Sequence, residues 1–227
     1  MLLPDDVLRL IAQSKPLANP LFPESLVALA CACRGHLVAL ADLLVLPRAA
    51  RALCRKTGYP SHSFATHYVL NWDGLSLNDS DMRVLAEVAR CCALPNFRDP
   101  YLWDNSITDA GIGHLAGALS SGGFPTLDSL ILDGNPIGDE GLATLISALG
   151  RPGAPRLRRL GFCRTRITEV SAQTLVDGAR AGALVAEYIF LDGWLATHEL
   201  LRPFKKHSWT EGNKTLWRID SRALPPA

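Results

Sequence analysis

The 227-residue chain lacks a surplus of charge of either sign, with 23 basic residues against 22 acidic ones and a formal net charge of +1. A chain so balanced has no global field to steer it onto nucleic acid or an anionic membrane. Paired metal-ligating cysteines are also missing. Cys31, Cys33, Cys54, Cys91, Cys92 and Cys163 contain no C-x-x-C pair and have no paired histidines nearby, so no zinc site is expected. The start, Met1-Leu2-Leu3-Pro4-Asp5-Asp6, puts acids where a secretory signal carries basic residues. Without that route a disulfide framework is not expected, and the cysteines read as reduced, buried thiols of a cytoplasmic or nuclear protein. Nor is there an uninterrupted apolar run fit to span a membrane. The most apolar stretch, Leu26 to Leu46, is broken by Arg34, His36 and Asp42, each costly in hydrocarbon, and reads instead as a buried amphipathic helix pair.

Catalytic signatures are absent too. There is no glycine-rich phosphate loop with lysine, no G-x-S-x-G and no H-E-x-x-H. His36, His62, His67, His114, His198 and His207 are scattered. Cys163 has no base beside it, and although Arg159 and Arg164 are near in sequence, a passive small residue is the expectation there. The sequence therefore points away from an enzyme and implies no cofactor or metal.

What the chain does have is 48% hydrophobic residues and an internal repeat. The run Leu130-Ile131-Leu132-Asp133-Gly134-Asn135-Pro136-Ile137-Gly138-Asp139-Glu140-Gly141 follows a similar run, Pro100 to Gly111, at a spacing of 30 residues. Asn105 and Asn135, Ile107 and Ile137, Asp109 and Asp139, and Gly111 and Gly141 all coincide at that offset. Leu160, Phe162, Ile167 and Leu175 continue the phase downstream, and Leu70, Trp72, Leu77 and Leu85 hold it upstream. Ile189, Leu191, Asp192 and Gly193 match Leu130, Leu132, Asp133 and Gly134 one residue short of two periods.

Each unit changes periodicity halfway. Its first part alternates as a short strand does, and its second, such as Glu140 to Leu149, places Leu142, Leu145, Ile146 and Leu149 at helical spacing. Thr108-Asp109 and Gly138-Asp139 stand where a helix N-cap belongs. A strand and helix of this length cannot bury their apolar faces alone, whereas stacked copies can. The expected fold class is α/β, a short solenoid with parallel strands inside and helices outside. Residues 1–60 form a helical N-terminal segment, 61–195 the repeats, and 196–227 a C-terminal cap and tail.

The motifs at 102–115 and 132–145 resemble leucine-rich repeats of the ribonuclease-inhibitor type, with L-x-L-x-x-N-x-I followed by G-x-x-x-L. The resemblance covers residues 68–195. It implies a horseshoe whose concave strands bind a protein partner, and it implies that Asn105 and Asn135 bond the backbone of their turns through their amides. Thr165, Trp194 and Leu75 replace the asparagine in other units, and Pro100 stands where the family prefers leucine. Leu3-Pro4-Asp5-Asp6-Val7-Leu8 and the later Cys33-Arg34 also resemble an F-box, which implies docking of residues 3–46 on a ubiquitin-ligase adaptor. The alternatives are thus a simple interaction module, an F-box-type substrate receptor, and a regulator similar to Ran GTPase-activating proteins.

If Leu102, Leu132, Phe162 and Leu191 point into the core, their neighbours are displayed on the other face. Those neighbours are Asn71, Asp73, Tyr101, Trp103, Ile131, Asp133, Cys163, Phe190 and Asp192, with Asp104, Arg159, Arg164 and Tyr188 at the margins. All of these except Cys163 are candidate partner-binding residues. The aromatics are expected to anchor a protein partner, and the aspartates to select basic residues on it.

Overall fold

The computed structural model describes residues 40–59, 69–92, 94, 96–150, 154–184, 186–196, 198–211 and 214–219. The chain begins there with helix α1 (Leu40–Thr57) and then alternates strand and helix: β1 (Val69–Asn71), α2 (Asp79–Cys92), β2 (Asp99–Tyr101), α3 (Asp109–Ser120), β3 (Ser129–Ile131), α4 (Asp139–Leu149), β4 (Arg159–Gly161), α5 (Val170–Arg180) and β5 (Tyr188–Leu191). A one-turn helix α6 (Gly193–Ala196) and a 3-10 turn (Glu199–Phe204) lead to β6 (Lys205–Glu211) and β7 (Lys214–Ile219).

The five strands β1 to β5 lie side by side, in sequence order and parallel. Their register carries the 30-residue period into space. Asn71 pairs with Tyr101, Tyr101 with Ile131, Ile131 with Gly161, and Gly161 with Phe190. Pro100 accounts for an irregularity. Leu102 N–H donates to the Ile131 carbonyl, so even-numbered β2 residues aim their N–H at β3. Proline has none to give, and β2 meets β3 at the single pair Tyr101–Ile131 where β3 and β4 share three pairs.

Helices cover one face of this sheet, and each helix buries the same four positions. Met82, Leu85, Ala86 and Ala89 of α2 are followed at 30-residue intervals by Ile112, Leu115, Ala116 and Leu119 of α3, by Leu142, Leu145, Ile146 and Leu149 of α4, and by Ala172, Leu175, Val176 and Ala179 of α5. Beneath them run Trp72, Leu102, Leu132, Phe162 and Leu191 from the strands, and Leu77, Ile107, Ile137 and Ile167 from the turns, all buried. One continuous core results, a stack in which each unit closes the next. At the first end α1 packs on α2 and adds Ala50 and Leu53 to that core.

At the other end the parallel order stops. β7 runs antiparallel to β5, with Ile189 opposite Trp217, and β6 pairs antiparallel with β7 to make the outer edge. Among the described residues, no helix is long and apolar enough to cross a membrane.

Polar side chains stitch adjacent units at two levels. Asn135 is buried; its Nδ2 donates to the carbonyls of Leu102 (2.8 Å) and Leu132 (2.9 Å), and its Oδ1 accepts from Ile107 N–H (3.0 Å). Asn105 repeats this one unit earlier, with the carbonyls of Trp72 (2.8 Å) and Leu102 (3.0 Å) and with Leu77 N–H (2.9 Å). Thr165 stands in the next such place and manages one bond, from its hydroxyl to the Phe162 carbonyl (2.9 Å).

The second level lies at the helix N-termini. Asp79, Asp109 and Asp139 each open one helix and accept from the start of the next. Asp79 takes Thr108 N–H (2.8 Å) and Gly111 N–H (3.0 Å), Asp109 takes Gly138 N–H (2.7 Å), and Asp139 takes Thr168 N–H (2.8 Å) and the Ser171 hydroxyl. The expected caps at Thr108 and Gly138 therefore differ. The Thr108 side chain accepts from Ala110 N–H, whereas Gly138 has no side chain and relies on Asp109 from the preceding unit.

Candidate functional site

The sheet face turned away from the helices carries the alternate residues of each strand. Its first two strands display Asn71 and Asp73, both exposed, beside Tyr101 and Trp103, both half-buried. The Tyr101 and Trp103 rings meet edge to face, with centroids 5.6 Å apart at 75°. Tyr188 and Phe190 of β5 are half-buried on the same side, flanked by β4 on one side and β7 on the other.

The middle of the face corrects the sequence expectation. Ile131 is only 6% exposed, and Asp133 and Cys163 only 1%. None of the three is displayed to a partner. Ile131 leans over Gly161, where an added Cβ would stand 2.8 Å from the isoleucine methyl. Asp133 accepts from Cys163 N–H (3.0 Å) and so serves the backbone of the following unit. Asp192 likewise receives Arg164 N–H (2.9 and 3.0 Å), although it is half-exposed.

Two ion pairs that step across a whole unit bracket this buried centre. Arg159 of β4 reaches over β3 to Asp99 of β2 (3.0 Å) and also meets Asp128 (3.1 Å). It crosses at Ser129, which pairs in register with Arg159 and is 1% exposed. At the opposite ends of the strands Arg164 reaches Asp104 (2.8 Å) across Gly134. A Cβ on Gly134 would collide with the Asp104 carboxylate, so the glycine leaves the passage that the pair uses. Gly134, Asp104 and Arg164 all take the left-handed backbone (φ 70°, 49° and 55°) at the same place in successive turns. Arg159, Asp104 and Arg164, expected at the margin as partner contacts, are thus engaged within the molecule.

Burial pushes the Asp99 carboxyl above its ordinary range, an effect that Arg159 only partly offsets. For Asp139 burial again acts upward, but hydrogen bonds from Ser171 and Thr168 outweigh it and hold the carboxyl below its usual value. Asp99, Asp128 and Ser129 carry no signal in the sequence that marks them as parts of this face. Their role depends on Arg159, 30 to 60 residues away, and only the 30-residue period, applied twice, would have located them.

No group of three or more histidine, cysteine, aspartate or glutamate side chains among the described residues could hold a metal ion. Residues 3–46, the expected adaptor-docking segment, lie outside the described residues except for the helical backbone of 40–46. Comparison with models of known protein families gave no match, and neither did comparison with curated protein sequences.

Proposed function

We propose that this chain is a non-catalytic protein-interaction module, a leucine-rich-repeat solenoid of the ribonuclease-inhibitor type that binds its partner on the sheet face opposite the helices. The observation that carries this reading is the unequal use of the two faces. Helices cover one face in four buried columns, while the other keeps Tyr101, Trp103, Tyr188 and Phe190 partly exposed on rigid, parallel strands. Aromatics held this way offer large contact area at little cost in side-chain entropy. The buried centre makes the surface two aromatic shoulders, one on β2 and one on β5, rather than a continuous strip. The asparagine-bonded turns and the 30-residue strand–helix unit support the leucine-rich-repeat reading.

A photo-crosslinking amino acid at Tyr101, compared with one at the exposed helix position Thr144, tests the face. Crosslinks to a partner are expected from position 101 alone. With the captured partner purified, the Tyr101→Ala/Trp103→Ala double variant is expected to bind about tenfold or more weakly while still unfolding in one cooperative transition. Leu132→Ala, by contrast, removes a fully buried side chain and should cost about 2–5 kcal/mol of stability. Crosslinks from 144 but not 101 would refute the proposal.

A further inference from the structure

Of the four aspartates expected to face a partner, three are committed elsewhere. Asp104 pairs with Arg164, Asp133 holds Cys163 N–H, and Asp192 holds Arg164 N–H. Asp73 is the exception. It is exposed, and no described residue donates to its carboxylate; its own N–H is turned to the Asn71 side chain (3.2 Å). The ladder places it with care. Trp72 N–H donates to the Tyr101 carbonyl and Gly74 N–H to the Trp103 carbonyl, both at 2.9 Å, which sets Asp73 level with Trp103 and on the same face. Neighbouring strands are about 4.8 Å apart. A free carboxylate therefore stands one strand from a Trp–Tyr pair, with the Asn71 side chain completing the square opposite Tyr101.

Each element of that square favours the same ligand. An aromatic ring attracts a cation over its face, and a carboxylate attracts it by charge and accepts its hydrogen bonds. Together they offset more of the cost of desolvating a lysine or arginine head group than either does alone. We infer that Asn71, Asp73, Tyr101 and Trp103 form a subsite for a lysine or arginine side chain on an extended segment of the protein partner. This rests on the sheet-face reading above and gives it a chemistry. The site lies on β1, the first strand of the sheet, whose outward Asn71 N–H is taken by the Tyr59 hydroxyl (3.3 Å), so a bound segment meets it from the sheet face.

The test uses the full chain and short capped peptides, Gly-Ser-X-Ser-Gly, with X lysine, arginine, norleucine or aspartate. Binding is read from the five tryptophan indole N–H signals by NMR, the Trp103 signal being assigned with Trp103→Phe. The lysine or arginine peptide is expected to shift the Trp103 signal, and the better of the two names the preferred cation. Norleucine and aspartate peptides are expected to leave it in place. Asp73→Asn should weaken the basic peptide about tenfold, Asp73→Glu should recover part of the loss, and added salt should weaken the unaltered chain more than Asp73→Asn. A Trp103 shift of equal size with norleucine, or an unchanged affinity in Asp73→Asn, overturns the cation subsite while leaving a binding face at Tyr101 and Trp103. No shift at Trp103 with any peptide also overturns it, and the position-101 crosslink then decides separately whether the face binds anything.

Discussion

Replacing Asn135 by alanine should be among the most damaging changes available to a polar residue in this chain, and the structure gives the size. The amide makes bonds to three carbonyls and one N–H, but not all of them are lost when it goes. The Leu102 carbonyl keeps Asn105 (3.0 Å), and the Asp133 carbonyl keeps Asp104 N–H (2.9 Å). The Leu132 carbonyl and Ile107 N–H have no other bond described and are left buried. A buried polar group without a partner costs about 1–3 kcal/mol, so two give about 2–6 kcal/mol, and entry of a water would bring the figure toward the lower end. A loss of about 3 kcal/mol is expected in urea unfolding followed by circular dichroism, at unchanged slope, with faster hydrogen exchange at the Ile107 amide. Thr165→Ala is the internal standard. Its one half-buried hydroxyl bond is worth about 1 kcal/mol or less. Should Asn135→Ala lose no more than Thr165→Ala, orphaned backbone groups do not set the cost of losing the amide.

Gly134→Ala should cost about 1–2 kcal/mol, from the left-handed backbone and the displaced Asp104–Arg164 pair, whereas Gly74→Ala meets nothing within 4 Å and should cost only about the backbone part; thermal unfolding of the two variants checks the difference. Asp139, with its pKa lowered in the folded state, contributes stability above the unfolded carboxyl value that disappears as pH falls through the folded one. Asp99 acts in the opposite sense, because its raised value favours the folded state only at low pH and that contribution is lost as pH rises. Urea midpoints measured between about pH 5 and pH 2 should therefore fall less for Asp139→Asn than for the parent, and more steeply for Asp99→Asn.

Much of the architecture can be read from spacing alone. Asn105 and Asn135, and Ile107 and Ile137, recur at 30 residues because equivalent turns must stack, and strand register follows from that with Tyr101 beside Ile131 and Ile131 beside Gly161. Pro100 likewise announces a missing rung by its chemistry. The sheet face opposite the helices is less legible. Alternation assigns Ile131, Asp133 and Cys163 to it, yet alternation says nothing about a neighbour two units away leaning across. Arg159 and Arg164 do so, and a rule that compares only adjacent strands cannot anticipate contacts 60 residues apart. The antiparallel β6–β7 pair is invisible for a different reason: it lies beyond the repeat, where the period carries no information.

The asparagine and aspartate bonds also rank the seams between units by strength. The joint between the β1 and β2 units has both kinds, from Asn105 and Asp79, and the next has both, from Asn135 and Asp109. The joint between the β3 and β4 units keeps Asp139 but has only Thr165 where the amide would be. The joint between the β4 and β5 units has neither kind, with Trp194 in the amide's place and Glu169 in the aspartate's. Pulled from its two ends, such a molecule would part first in this later half, so the mechanical fault line falls between the Tyr101–Trp103 shoulder and the Tyr188–Phe190 shoulder. A ligand spanning both would act as a splint.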